Sequence, residues 1–193
     1  MADTEACLAP GALAFMQDLF SWPDGVRRVP DRQLLCVRHR ADSVAAPSAF
    51  QRLGLPWPER VNDLCAQGSL IAARHRPEEV LLSAPTAAPL QALARALDEA
   101  GDAFAVDLSD GTAALELDGR WMGEGLSHLV DPSALPGPGR ASRCRFIDVP
   151  VLLWRVDEKR LWLLADRSLS PYLAQWLSHA AEAAGLRRSD CHH

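Results

Sequence analysis

The sequence predicts an α+β protein with largely antiparallel sheet, organised as two βαβ-like lobes. Three observations carry that reading. Short strand-like runs come in pairs separated by turn residues; two stretches have clear helical periodicity; and no βαβαβ series links strand to helix to strand along the chain. A division near Gly101, after the first strong helix, separates the lobes, and no sequence repeat marks it.

Met1 to about Pro30 mixes Leu13, Phe15, Met16, Leu19, Phe20 and Trp22 with Pro10, Pro23 and Pro30. The prolines break it into short pieces, because each removes a backbone donor and clashes with the preceding turn. Residues 1–32 therefore read as an N-terminal arm, packed on its own domain or laid across a partner. Residues 33–187 read as the folded domain and 188–193 as a polar tail.

Gln33–His39 reads as the first strand and Ser48–Leu53 as a short helix. Gly54-Leu-Pro-Trp-Pro58 is too rich in proline for regular structure. Ser69–Arg74 and Val80–Ser83 form a hairpin about the turn Arg76-Pro-Glu-Glu79. Leu90, Leu93, Ala94 and Leu97 line one helix face, with Gly101 placed to stop it.

Phe104, Val106 and Leu108 alternate with Ala105 and Asp107, the pattern of a strand with one half-buried face. The Asp110-Gly111 turn then joins it to Ala113–Leu117 as a second hairpin. Trp121–Val130 is a short helix, and the proline-rich run from Asp131 to Gly139 a loop. Arg145–Val149 and Val151–Val156 are strands flanking Pro150, which implies a bulge, bend or sheet edge. Leu161–Ala165 is the last strand. In the final helix Ser170 is placed to cap, Pro171 takes the first turn, and Leu173, Trp176, Leu177, Ala180, Ala181 and Ala184 make the apolar stripe before Gly185.

Composition narrows the function. The net charge is −5 and the basic residues are scattered, so no positive stripe for nucleic acid is present. No run approaches the ~20 apolar residues of a membrane span, and the N-terminus lacks a secretory pattern. The expected location is the cytoplasm. Cys7, Cys36, Cys65, Cys144 and Cys191 are odd in number and far apart, which argues against a disulfide framework. The single lysine, Lys159, lies in a turn, so no phosphate-binding loop can be built on it. Gly137-Pro-Gly139 is not followed by a helix, as a dinucleotide fingerprint would require. Asp190-Cys-His-His193 offers metal-binding side chains but on a terminal tail. No catalytic, cofactor-binding or metal-ligating residue is assigned. Phe20, Trp22 and Trp57, aromatic and beside prolines or in predicted loops, are the candidate anchors for a partner.

Several segments, in order, resemble the gamma subunit of heterotetrameric sarcosine oxidase, within the folate-binding-domain fold of glycine-cleavage aminomethyltransferases. Arg76-Pro-Glu-Glu-Val-Leu-Leu82 is similar to a Gly-Pro-Asp-Glu-Trp-Leu-Leu segment of that family. Val106-Asp-Leu-Ser-Asp-Gly111, the Leu117-x-Gly119 pair with the helix after it and Asp131, and Gly139-Arg140 through Val149-Pro-Val-Leu-Leu-Trp-Arg155 resemble its central stretches. Arg167-Ser168, Tyr172-Leu173 and Trp176-Leu177 resemble its closing signature. The likeness covers roughly residues 70–180. Pro132, Val80 and Cys144 depart from it, standing where leucine, tryptophan and threonine are usual, so the chain resembles a divergent branch.

The resemblance implies a non-catalytic gamma chain without a cofactor of its own. It would sit in a complex with alpha, beta and delta subunits that carry FAD, FMN, NAD, tetrahydrofolate and zinc and oxidise sarcosine or a related N-methyl amine. The alternative is a stand-alone folate-binding or one-carbon-transfer protein of the same fold.

Overall fold

Strand alternation and helix stripes combine into four layers, helix–sheet–sheet–helix. The computed structural model describes residues 21–29 and 32–186. Ten strands form two five-stranded sheets. Sheet N has the order β3 (Leu64–Gln67), β4 (Leu70–Arg76), β5 (Glu79–Ala84), β2 (Gln33–His39), β6 (Ala103–Asp107). Sheet C has the order β1 (Val26–Arg28), β7 (Thr112–Leu117), β10 (Leu161–Asp166), β9 (Val149–Arg155), β8 (Arg140–Phe146). Every pairing is antiparallel.

Helices α1 (Ala45–Arg52) and α2 (Ala87–Ala100) cover the outer face of sheet N. Leu90, Leu93 and Leu97 of α2 and Ala46, Ala49 and Phe50 of α1 pack there on Leu35, Val37, Val80 and Leu82. Gly101, at φ 77°, ends α2 in the left-handed conformation that glycine adopts without steric cost. Helix α3 (Ser170–Ala183) covers sheet C, with Leu173, Leu177, Ala180 and Ala181 against Leu115, Leu117, Leu153 and Leu163.

Between the sheets lies a third core. Leu34, Cys36, Ile71, Ala73 and Leu81 from sheet N meet Ala141, Trp154, Trp162 and Leu164 from sheet C. Because both faces of β10 are covered, Leu161 to Ala165 are all buried, a run that single-face alternation does not give. Among the described residues no helix is long and apolar enough to cross a membrane.

The sheets repeat one plan. Each has a strand (β2 or β7), a helical segment, three strands in meander, a helix, and an edge strand beside the first (β6 or β1). In sheet N the edge strand follows its helix; in sheet C it is supplied from the start of the chain. The two lobes are therefore real, but several local expectations need correction; among them, the strand expected over Arg145–Val149 is instead the end of β8, the turn at residues 147–148 and the start of β9.

Residues 26–28 of the arm pack on its own domain, as the edge strand β1 beside β7. Residues 104–108 and 113–117 do not form a hairpin: β6 pairs with β2 while β7 pairs with β10 and β1, so the Asp110-Gly111 turn carries the chain from one sheet to the other. Ser170 does not cap α3: it is the helix's first residue, its hydroxyl donates to the Arg167 carbonyl, and the N-cap Leu169 has no side-chain cap bond; Asp166 instead caps the preceding 3-10 turn, Arg167–Leu169, its carboxylate accepting from the Ser168 N–H. Trp121–Val130 holds an irregular helical segment over Trp121–Gly125, interrupted at Gly123, not a regular helix. Pro150 lies within β9, at the end where β10 no longer pairs, so its missing donor breaks no ladder there.

Candidate partner-binding surface

Of the three candidate anchors, Phe20 lies outside the described residues. Trp22 is half-buried and packs on the edge of the core between sheet C and α3. The chain just after it is held by the Trp121 indole, which donates to the Asp24 carbonyl at 2.9 Å. Trp57 is half-buried too, and its ring is engaged by its own chain. The Arg74 guanidinium lies 4.8 Å over it, Phe50 meets it edge-on at 5.0 Å, and His39 is 5.5 Å away. Arg74 is fixed in turn by donating to the Glu59 carbonyl at 2.7 Å.

A polar and aromatic spine runs through the layer between the sheets, and sequence periodicity did not mark it. The Trp154 indole N–H donates to His75 Nε2 at 2.7 Å. The rings of Trp154 and Trp162 lie near parallel with centroids 6.3 Å apart, and the Arg32 guanidinium sits 5.0 Å over Trp162. Arg32 donates to the Ser83 hydroxyl and carbonyl, while the Trp162 indole donates to Glu116. These residues are scattered along the sequence, and only the stacking of the sheets brings them together. The one available signal was a tryptophan inside each of two expected strands, Trp154 in Val151–Val156 and Trp162 in Leu161–Ala165.

Burial sets the titration of His75 in this layer and of three thiols, of which Cys36 lies between the sheets and Cys144 on the core under α3. Burial holds the His75 imidazole down to about 4, with the Arg143 charge acting in the same direction, so it is neutral near pH 7. Since Nε2 accepts from Trp154, the ring proton lies on Nδ1, which is buried and has no partner among the described residues. Burial raises the thiols of Cys36, Cys65 and, to about 11, Cys144, away from the thiolate needed for nucleophilic attack. Among the described residues, no three His, Cys, Asp or Glu side chains converge on a point that could hold a metal ion. The Asp190-Cys-His-His193 tail lies outside them.

The two sides of the sandwich differ. On one side the sheets are stitched together: Ala141 N–H donates to the Asn62 carbonyl, Leu64 N–H donates to the Gly139 carbonyl, and Arg140 pairs with Asp63. At the end where β9 begins and β10 finishes, an apolar cleft of about 220 Å³ opens between the sheets. Leu34, Leu81, Leu108, Leu152 and Leu164 line it, together with Glu79, Thr112, Arg143 and Asp166. None of the buried polar atoms that lack a partner, on Arg74, His75, Asp102, Arg155 and Arg167, belongs to a residue of this cleft.

Comparison with known proteins bears on this architecture. No protein-family model matches the chain. No curated protein matches it in sequence. Among solved structures it is similar to a chain of heterotetrameric sarcosine oxidase from Corynebacterium sp. U-96, solved in complex with pyrrole 2-carboxylate. The TM-score is 0.75 at 24% identity, over 89% of this chain and 91% of that one. It is also similar to glycine cleavage system aminomethyltransferase T from Bartonella henselae, at TM-score 0.53 and 13% identity, covering 82% of this chain but only 46% of that one. Two antiparallel sheets with helices outside are common to all three, and the chain has the α+β, folate-binding-like fold of the aminomethyltransferase.

Proposed function

We propose that this chain is the gamma-type subunit of a heterotetrameric sarcosine oxidase or a related N-methyl amine-oxidising flavoenzyme, with a structural and assembly role. One observation carries the reading. The match to the sarcosine oxidase chain runs over nine-tenths of both chains, so the two are about the same length and the likeness is of a whole subunit. The aminomethyltransferase, by contrast, is about twice as long as the part that this chain matches. The ordered sequence signatures over residues 76–177 point to the same family.

In this reading alpha, beta and delta chains are the partners. They carry the FAD, FMN, NAD, tetrahydrofolate and zinc, and this chain supplies contacts. The buried neutral His75, the committed Trp57 and the protonated thiols fit such a role, since all are spent on internal packing.

Purification of the tagged chain from its native host, followed by a visible absorption spectrum, tests the proposal. Recovery of three further chains with flavin absorbance is the expected result, and turnover of sarcosine would then identify the substrate. A solitary, colourless protein overturns it. Titration with tetrahydrofolate would then decide whether the chain is a stand-alone folate-binding protein of the same fold.

A further inference from the structure

Strand β6 presents its apolar side chains the wrong way round for a finished domain. The sequence pattern expects Phe104 and Val106 on the buried face. The structure buries Ala103 and half-buries Ala105 against α2, and leaves Phe104 and Val106 exposed at 53% and 43%. Register places Val106 beside Cys36 and Phe104 beside Arg38, so both lie on the face of sheet N that is turned towards sheet C. Sheet C does not reach over them.

Among the described residues the same strand is an open edge. Leu108 N–H donates to the Leu34 carbonyl, so bonding to β2 falls on alternate residues, Val106 and Phe104 among them. The amides and carbonyls of Ala103, Ala105 and Asp107 therefore point away from the sheet. The other three edges are protected by devices that natural sheets use. Strand β1 is three residues long and bears exposed Arg27; β8 carries exposed Arg143 and Arg145; β3 lies against the start of β8 through the Asp63–Arg140 contact. Strand β6 has no proline, bulge or basic residue.

Carboxylates bracket this edge. Asp98 and Glu99 lie in the last turn of α2, Asp102 precedes β6, Asp107 is its last residue and Asp110 follows it. The cation beside it in register, Arg38, is held by Glu79 at 3.4 Å; of the two further arginines that line the cavity at the start of β6, Arg40 and Arg76, Arg40 is held by Asp42 at 3.1 Å. A second copy of the chain is a poor occupant: antiparallel self-pairing centred on Ala105 sets Asp107 of each copy opposite Ala103 and next to Asp102 of the other. We propose that β6 is a docking edge for an extended segment of a different protein chain, apolar at alternate residues and flanked by Arg or Lys. That segment adds a sixth strand to sheet N and covers Phe104 and Val106.

The inference goes beyond the flavoenzyme reading, and its test uses the isolated full-length chain, so the two can fail separately. The probe is the capped peptide Arg-Thr-Val-Thr-Val-Thr-Arg, titrated into isotope-labelled protein while backbone amide resonances are followed. The expected result is saturable shifts centred on Ala103, Ala105 and Asp107, with affinity on the order of a millimolar or tighter. Replacing both peptide arginines by glutamate should weaken binding about tenfold at low salt. The double substitution Phe104→Lys with Val106→Lys should abolish it, whereas Val44→Lys, at an exposed apolar residue on α1's approach, should not change it. The wild-type titration stands on its own if the double variant fails to fold. Absence of shifts at β6, or equal binding of the glutamate peptide, overturns the proposal. Concentration-dependent changes at the same amides without peptide would also overturn it, in favour of a second copy.

Discussion

His75 is 5% exposed, and a positive charge there is costly. Its pKa near 4 against an ordinary 6.5 means that the unfolded chain takes up a proton between those values and the folded chain does not. Stability from keeping the ring neutral is thus complete above pH 6.5 and is lost as pH falls towards 4. Denaturant unfolding at pH 7.5 and at pH 5 should show wild type losing about 2 kcal/mol from this group. In His75→Gln, which keeps an acceptor for the Trp154 indole, that part of the loss should vanish. An unchanged pH dependence would show that the ring is hydrated after all. Trp154→Phe should cost about 1–3 kcal/mol at pH 7, since it strips His75 Nε2 of its donor.

Elements depend on one another more than the sequence suggests. The arm expected to end before residue 33 contributes β1, the Trp22 contact and the Asp24 carbonyl that holds Trp121. A chain shortened to begin at Gln33 should therefore lose about 3–5 kcal/mol, lowering Tm by roughly 10 °C. A Tm unchanged in a thermal melt would show that the arm is dispensable. Gly125 is tied to packing instead: a Cβ there would come 2.8 Å from the Trp121 ring and 3.0 Å from Leu186. Gly125→Ala should cost about 1–3 kcal/mol by overpacking.

What was legible follows from the range of the forces involved. Strands β2, β4, β5, β9 and β10 and helices α2 and α3 were visible because their periodicity is local. The false hairpin at Asp110-Gly111 arose because a turn dipeptide says that the chain reverses, not which sheet receives the next strand. Strand β1 was missed at three residues, too short for any period to show, and β3 for the same reason at four. The spine of Arg32, Trp162, Trp154 and His75 joins three strands and a connecting segment from both sheets, so no local pattern could reveal it. The prolines flanking Trp57 mark its loop, but the Arg74 guanidinium over its ring comes from seventeen residues on and no local pattern shows that contact.

At the scale of the molecule, a repeated strand–helix–meander–helix plan closes one side of the sandwich and leaves the other with an apolar cleft and the bare edge of β6. Such a shape suits a chain that completes its surface on partners. The most direct test is the intact mass, by native mass spectrometry, of the assembly recovered on the tagged chain from its own host. The expected result is a mass far above the 21.0 kDa of one chain, made up of four different polypeptides with bound flavin. A species at the mass of this chain alone would contradict it.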